Sequence, residues 1–485
     1  MSTSRIAPIE APYPAEIQAE FDTIMRGAPP LLLFRTVARN PRALQRFFAG
    51  SLLDRGSISL RVRELMILRT CAQCGSEYEW GVHVAAFGSK AAWTPEQVHS
   101  TARGKPEDAC WSEEERSVKI SRIDVYNFTY TVAGGPLTLS GGRTVGTEDS
   151  TLVKISTDEG LVGWGEECPF SPTYMLAFAE GARAGIQLMG PALIGADPRQ
   201  IEDVYARMDS VLYGHAYAKA PIDTACWDIL GHATGLPVSD LLGGTLHARF
   251  PIYHVVGVNR PEAMRARSEQ LLEQGFRRFQ VKVGSGHWHE DVRRARACLE
   301  VLRDQEVVIL DANAYWRQHE AAQFIAALED EPIYLEQPCR TLAECLAIRR
   351  RTARPMILDE TLTDLDALFA AQAAGAMDCA MLKISRLGGI SRMRLARDVC
   401  RQWGLSVTME DSGGGDIVTA ATAHLAASTP AKSLLNGMLI NMLVNERIAE
   451  GTPEPKDGWT EVSRRPGLGI TVDEKALGKP LFTIR

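Results

Sequence analysis

The chain has 485 residues, 45% of them hydrophobic, and a formal net charge of −7. That length holds two or three domains with well-filled cores, and an acidic balance without long basic runs argues against nucleic acid or an anionic membrane as the main partner. Ten cysteines without dense disulfide spacing, and a start at Met1-Ser2-Thr3-Ser4-Arg5 with no apolar leader, predict a reduced, cytoplasmic protein; no run reaches the roughly 18 apolar residues of a membrane span.

Residues 1–116 are predicted to form a separate helical module. Leu60 to Ala86 carries apolar residues at helical spacing, and Thr94-Pro95-Glu96-Gln97 supplies an N-cap, a first-turn proline and an acidic first turn, so a further helix starts near Pro95. The polar stretches Gly104–Asp108 and Trp111–Arg116 read as a linker. From Val118 the pattern alternates, as in Ile120-Ser121-Arg122-Ile123-Asp124-Val125-Tyr126, with later strands at Leu152–Ile155 and Gly160–Glu166. That alternation is the signature of an antiparallel sheet with one face buried. Ala177 to about Leu242 is helical again, and a barrel begins at Phe250-Pro251-Ile252-Tyr253.

Beyond it stands a ladder: Lys282, Asp311, Glu336, Asp359, Lys383 and Asp411 follow one another at steps of 29, 25, 23, 24 and 28 residues. Each ends a short apolar run that reads as a buried parallel strand followed by a helix-length polar segment. In a parallel barrel all strand C-termini open on one face, so the six groups meet around one mouth. Three carboxylates flanked by two lysines make a metal site with a base on either side.

From Val118 to Arg485 the chain resembles the enolase superfamily, in its muconate-lactonizing-enzyme-like subgroup. The resemblance rests on Gly163-Trp164-Gly165-Glu166, Ala220-Pro221-Ile222-Asp223-Thr224-Ala225-Cys226-Trp227-Asp228, Val281-Lys282-Val283-Gly284, Leu335-Glu336-Gln337-Pro338, Leu358-Asp359-Glu360-Thr361 and Leu382-Lys383-Ile384-Ser385-Arg386-Leu387-Gly388-Gly389-Ile390. It implies an α/β fold: a modified TIM barrel of (β/α)7β type over residues 244–449 and an α+β capping domain over 117–243, completed by the tail at about 450–485. It implies Mg2+ on Asp311, Glu336 and Asp359, as suits a hard cation that takes oxygen ligands. Glu360, beside Asp359, is the alternative ligand; with Asn313 it is otherwise a candidate to support the ligands from behind.

The resemblance also makes Lys282 and Lys383 the catalytic pair, facing opposite sides of a substrate α-carbon. A free lysine has a pKa of about 10.4, so a base role requires the metal and the neighbouring lysine to depress it. Where the subgroup commonly has Lys-x-Lys on strand two, this chain has Gln280-Val281-Lys282; Gln280 can still donate a hydrogen bond to a substrate or ligand carboxylate.

Tyr213–Ala220, Phe279–Gly284 and Glu410–Ile417 are similar to segments of cis-3-hydroxy-L-proline dehydratases and proline-betaine epimerases. The expected reaction is therefore magnesium-dependent removal of the proton α to a carboxylate, leading to dehydration of a hydroxylated cyclic amino acid. The alternative is racemisation or epimerisation of proline-like, betaine or N-acyl amino acids. Tyr253, Gln280, Asp411 and Glu410 are the candidate substrate-binding residues, with Asp411 preferred for a cationic nitrogen; alternatively, one of the acidic pair caps the following helix. Ser412-Gly413 stands where the family often has Thr-Trp, which predicts a larger or looser wall. The glycine-rich segment Ala133–Gly142 is the expected mobile lid.

Arg61–Arg69 and Cys71–His83 resemble the carboxymuconolactone-decarboxylase and alkylhydroperoxidase-like helical family over residues 15 to 105. Cys71 and Cys74 share a helix face at i, i+3 and could form a redox dithiol. The peroxidase version has a histidine four residues after the second cysteine; Tyr78 stands there, and His83 is about half a turn out of phase on a continuous helix. The readings for this module are thus a thiol redox function or a structural one, and the resemblance implies homo-oligomer formation.

Overall fold

The computed structural model describes residues 8–25, 29–40, 44, 60–73, 76–103, 110, 118–328 and 331–485, which fall into two compact units, 1–116 and 117–485. The first contains helices α1 (Ala15–Met25), α2 (Leu60–Gln73), α3 (Glu77–Phe87) and α4 (Pro95–Arg103). At the start of α4, Thr94 Oγ1 accepts from Gln97 N (3.3 Å) and Gln97 Oε1 accepts from Thr94 N (3.1 Å), a reciprocal cap that satisfies two amides otherwise left without partners. The stretch Leu60–Ala86, read as helical, holds two helices, and Ser76 just before the second is not helical. The phase argument made for His83 therefore does not apply. Cys74 and most of the expected linker, 104–109 and 111–116, lie outside the described residues.

In the second unit, strands β1 (Ile120–Thr131), β2 (Thr147–Thr157) and β3 (Val162–Glu167) form an antiparallel sheet, and the C-terminal strand Phe482–Ile484 pairs with the outer edge of β1. Helices α5 (Ala179–Met189), α6 (Ile201–Val211) and α7 (Ala216–Thr234) follow. The two glycines of Gly163-Trp164-Gly165 have a steric reason. A Cβ on Gly165 would lie 1.8 Å from the Pro221 carbonyl oxygen, and one on Gly163 would lie 2.2 Å from that of Ala225. Helix α7 lies directly on strand β3, and Asp228 ties the contact by accepting from Trp164 N (3.0 Å) and Leu468 N (2.7 Å). Gly165→Ala is expected to destabilise this unit by about 3 kcal/mol, the upper range of overpacking, read as a lower denaturant midpoint. A shift below about 0.5 kcal/mol, the usual range for a harmless surface change, would contradict the contact.

Eight parallel strands form the barrel: β4 (His254–Val256), β5 (Arg278–Lys282), β6 (Val307–Asp311), β7 (Tyr334–Glu336), β8 (Met356–Leu358), β9 (Cys379–Lys383), β10 (Ser406–Glu410) and β11 (Leu434–Gly437). Each pairs with the next, and an Ile252–Gly437 bridge joins the last to the residues before the first. The helices between them are α8 (Pro261–Glu273), α9 (Trp288–Leu302), α10 (Gln318–Ala327), α11 (Leu342–Arg349), α12 (Leu365–Ala373), α13 (Ile390–Gln402) and α14 (Asp416–Ala427). This is the (β/α)7β order. Period-2 alternation then sets the site. Val307, Ile309, Cys379 and Met381 pack together in one apolar cluster, whereas Val308, Leu310, Ala380 and Leu382 join the larger core. On the first face the next positions are Asp311 and Lys383, so an apolar column ends in charge at the strand C-termini. Among the described residues no helix is long and apolar enough to cross a membrane.

Candidate active site

Strand register brings the polar ends level. Lys282 pairs with Asp311, Asp311 with Glu336, and Lys383 with Glu410. Lys282 Nζ donates to Asp311 Oδ2 at 2.5 Å, and Gln280 Nε2 donates to Glu336 Oε2 at 2.8 Å. Asn313 donates to Asp311 through its backbone N (2.7 Å) and Nδ2 (2.9 Å), and its Nδ2 also reaches Glu360 Oε1 (3.1 Å). Asp359 receives Arg386 Nη1 on Oδ1 (2.5 Å), and the Tyr174 hydroxyl (2.8 Å) and Lys383 Nζ (3.1 Å) on Oδ2. Lys383 Nζ further meets Glu410 Oε1 at 2.8 Å and the Tyr174 oxygen at 2.5 Å. The Tyr253 hydroxyl donates to Glu410.

Burial raises the charged-state cost of every one of these groups, and the neighbours decide the sign. For Asp359, burial is overcome by the Arg386 and Lys383 charges, which hold its carboxyl well below the usual range. For Glu336, burial is reinforced by the Asp311 charge, and its carboxyl is driven well above the usual range. Burial, then the charges of Asp359 and Asp311, push Glu360 up to about 8. Burial lowers both lysines, yet Asp311 and Glu336 around Lys282, and Asp359 and Glu410 around Lys383, outweigh it and raise them. The depression expected for the two bases is thus absent in this arrangement, because each ammonium is the counter-charge of its carboxylate neighbours.

Among the described residues, no three carboxylate, histidine or cysteine side chains converge closely enough to hold a metal ion as they are turned here. Asp311 faces Lys282 and Asp359 faces Arg386 and Lys383. The donor set nonetheless fits a hard divalent cation: oxygen-only carboxylates lie on neighbouring strand ends, and the buried Glu336 Oε1 and Glu360 Oε2 have no hydrogen-bond partner among the described residues.

An inner cavity of about 50 Å3 is lined by both lysines, Gln280, Tyr253, Glu410 and Asp411, with Tyr174 and Phe170 from the cap. Beside it, an outer cleft of about 1140 Å3 includes Arg143, Asn313, Glu360 and Arg386, and Tyr174 borders both. The glycine-rich segment is seated on the barrel. Ser140 Oγ donates to the Val283 carbonyl (2.5 Å) and to Asn313 Oδ1 (3.1 Å), Gly141 N donates to the Gly284 carbonyl (2.7 Å), and Leu137 and Leu139 line the inner cavity.

The acidic pair at the end of strand β10, Glu410 on the strand and Asp411 just after it, divides its work. Asp411 accepts from Ser385 Oγ (2.6 Å), Ser385 N (3.2 Å) and Ser412 N (2.7 Å), with burial pushing its carboxyl up to about 7 against those bonds. Glu410 instead meets Tyr253 and Lys383. Neither caps helix α14; Glu166 of the cap accepts from Val418 N there at 3.1 Å. The wall at Gly413 is not enlarged as expected: a Cβ on Gly413 would lie 2.5 Å from Glu148 Oε2 and 3.0 Å from Cys168 Sγ, so the cap fills that space.

Sequence reasoning overlooked Tyr174 and gave Arg386 no role. Arg386 had a signal, three residues after Lys383 within a quoted motif; Tyr174 lies in an irregular stretch with no periodicity to mark it. In the N-terminal unit, His83 Nδ1 lies 2.7 Å from Oε2 of Glu64, whose side chain is fully buried, a pair absent from the sequence reading. Cys71 is half-buried.

Residues 122–243 match the N-terminal domain model of mandelate racemase/muconate lactonizing enzymes, residues 263–476 the enolase C-terminal domain-like family, and residues 39–122 the carboxymuconolactone decarboxylase family. A cis-3-hydroxy-L-proline dehydratase of Roseibium aggregatum is 43% identical over 364 residues, covering 75% of this chain and 99% of that protein. An N-succinyl-L-Arg/Lys racemase of Bacillus cereus is 28% identical, covering 68% of this chain and 89% of that protein. A solved enolase-superfamily protein of Roseovarius nubinhibens, complexed with magnesium, aligns with a TM-score of 0.72 at 36% identity, over 76% of this chain and all (100%) of its own.

Proposed function

From residue 122 onward the chain belongs to the enolase superfamily, in its mandelate racemase/muconate lactonizing enzyme group, and on that premise we propose a magnesium-dependent enzyme that removes the proton α to a carboxylate and dehydrates a hydroxylated cyclic amino acid resembling cis-3-hydroxy-L-proline. The observation that carries this reading is the inner cavity, which two buried lysines from strands β5 and β9 enter between them. Asp311, Glu336 and Asp359 would hold Mg2+. Bound there, it supplies positive charge for the substrate carboxylate as negative charge develops on it.

This chain's residues do the rest. A lysine serves as base only as the neutral amine, and either one reaches that state once the carboxylates beside it are engaged elsewhere and burial dominates. It takes the α-proton, the C–H electron pair becomes the α,β double bond, and the β-hydroxyl departs as water with a proton from the other lysine. Gln280 orients Glu336, and Asp411, with Glu410 as the alternative, is the proposed contact to a cationic nitrogen; both line the cavity. The seated glycine-rich segment and Tyr174 keep water out.

Two lysines on opposite sides of one cavity also favour a second reading, racemisation or epimerisation, in which the second lysine returns a proton to the opposite face. Proton NMR and mass analysis of products from cis-3-hydroxyproline, proline, proline betaine and N-acyl amino acids in deuterated water separate the two. Dehydration is expected: the α-proton signal is lost and the product is lighter by one water. Deuterium uptake without loss of water would transfer the assignment to the epimerase, and no reaction with any of these compounds would contradict the substrate class.

A further inference from the structure

The loop after strand β10 carries the substrate wall, and its three glycines sit against cap carboxylates rather than against solvent. Gly414 N donates to Glu148 Oε2 at 2.9 Å and Gly415 N to Glu166 Oε1 at 3.0 Å. Glu166 is also held by the Tyr130 and Ser150 hydroxyls, both at 2.9 Å, and so is fully engaged in joining cap to helix α14. Glu148 differs. It comes from the start of β2, it is buried, and its other recorded partner is the Cys168 thiol at 3.7 Å. Its carboxylate occupies the position that a side chain at residue 413 would need. Gly414 has φ +109°, where L side chains are strained, so the loop's path depends on what grips it from the cap side.

We infer that Glu148 is a positioning residue that determines specificity: by gripping Gly414 N–H and filling the space beside Gly413, it fixes Glu410, Asp411 and Ser412 as the wall facing the substrate, for which the inference rests on the function proposed above. Two observations tie that wall to the cavity. Glu410, Asp411 and Ser412 all line it, and Ser412 Oγ lies 2.7 Å from Sδ of Met175, next to Tyr174. A cap side chain that never enters the cavity thereby sets the cavity's outline. Burial raises the Glu148 carboxyl to about 7, so a neutral amide of the same shape is a fair replacement.

The test is steady-state kinetics of Glu148→Ala, Glu148→Gln, Gly413→Ala and the Glu148→Ala/Gly413→Ala double variant on cis-3-hydroxy-L-proline. Glu148→Ala is expected to raise KM about 10-fold, equivalent to about 1.4 kcal/mol, with a smaller change in kcat, because both lysines stand on barrel strands and only Lys383, through Glu410, is in contact with the wall. Glu148→Gln should remain near wild type. Gly413→Ala should raise KM similarly, and the double variant should recover at least part of that rise, the non-additivity expected of side chains competing for one space. Unchanged KM in Glu148→Ala, or no recovery in the double variant, would overturn the inference. If the wild-type protein turns over none of the compounds tested, the proposed function fails separately, and the space competition is then read from unfolding midpoints: Gly413→Ala should lower the midpoint and Glu148→Ala should offset that loss, while additive losses would refute it.

Discussion

Replacing Lys282 with alanine is expected to lower turnover by about 10²- to 10⁴-fold, the usual worth of a positioned general acid or base, and Lys383→Ala should do the same. Both side chains are buried and both line the inner cavity; Lys282 is paired with Asp311 of the adjacent strand, and Lys383 with Asp359 and Glu410 from the strand ends on either side of it. The two readings of the reaction diverge here. In a dehydration one lysine takes the α-proton and the other protonates the departing hydroxyl, so only one of the two variants should retain exchange of the α-proton with solvent deuterium. In an epimerisation each variant should retain exchange with one enantiomer and lose it with the other. Exchange and turnover within 3-fold of wild type in both variants would remove the lysines from the mechanism.

The second large effect is expected at Glu336. Its Oε2 accepts from Gln280, its Oε1 has no partner among the described residues, and burial beside Asp311 makes its negative charge costly. A carboxylate in that position gains from a cation more than from any group now near it. Glu336→Gln should therefore reduce Mg2+ affinity by more than about 100-fold in calorimetric titration, beyond the range of residues that merely support a ligand. A second readout has the opposite sign. Without added metal the variant should unfold at a higher denaturant concentration than wild type, because an amide replaces a carboxylate that is expensive to bury. With Mg2+ at about 100 times its dissociation constant, wild type should gain about 2.7 kcal/mol and the variant almost none. Equal Mg2+ binding in both proteins would remove Glu336 from the ligand set.

How much of this was legible depended on whether a feature is local or tertiary. The ladder from Lys282 to Asp411 could be read because two periods coincide. The βα repeat brings strand ends to one mouth, and the alternation within each strand fixes which side chain faces inward. Gly163 and Gly165 could be recognised in sequence, but their cause, the Pro221 and Ala225 carbonyls of α7, is a contact between elements more than 50 residues apart. Tyr174 and Glu148 were invisible for that reason: one lies in irregular chain, the other at a strand end, and each acts on a residue more than 200 positions away. Asp411 directly follows strand β10, yet its orientation toward Ser385 is set by hydrogen-bond donors at the start of the turn after β9, which spacing does not reveal. The break within Leu60–Ala86 was not legible, because apolar spacing does not mark where one helix stops and the next starts.

The central claim is that this barrel mouth removes an α-proton with the help of a metal held by the three carboxylates. The measurement that bears on it most directly is the α-proton NMR signal of cis-3-hydroxy-L-proline in deuterated water, followed with wild-type protein stripped of divalent ions and again after Mg2+ is restored. The account predicts a stable signal without the metal, rapid loss on its return, and no loss at either stage with Glu336→Gln. Loss at the same rate with and without Mg2+, or an undiminished rate in the Glu336 variant, would contradict it.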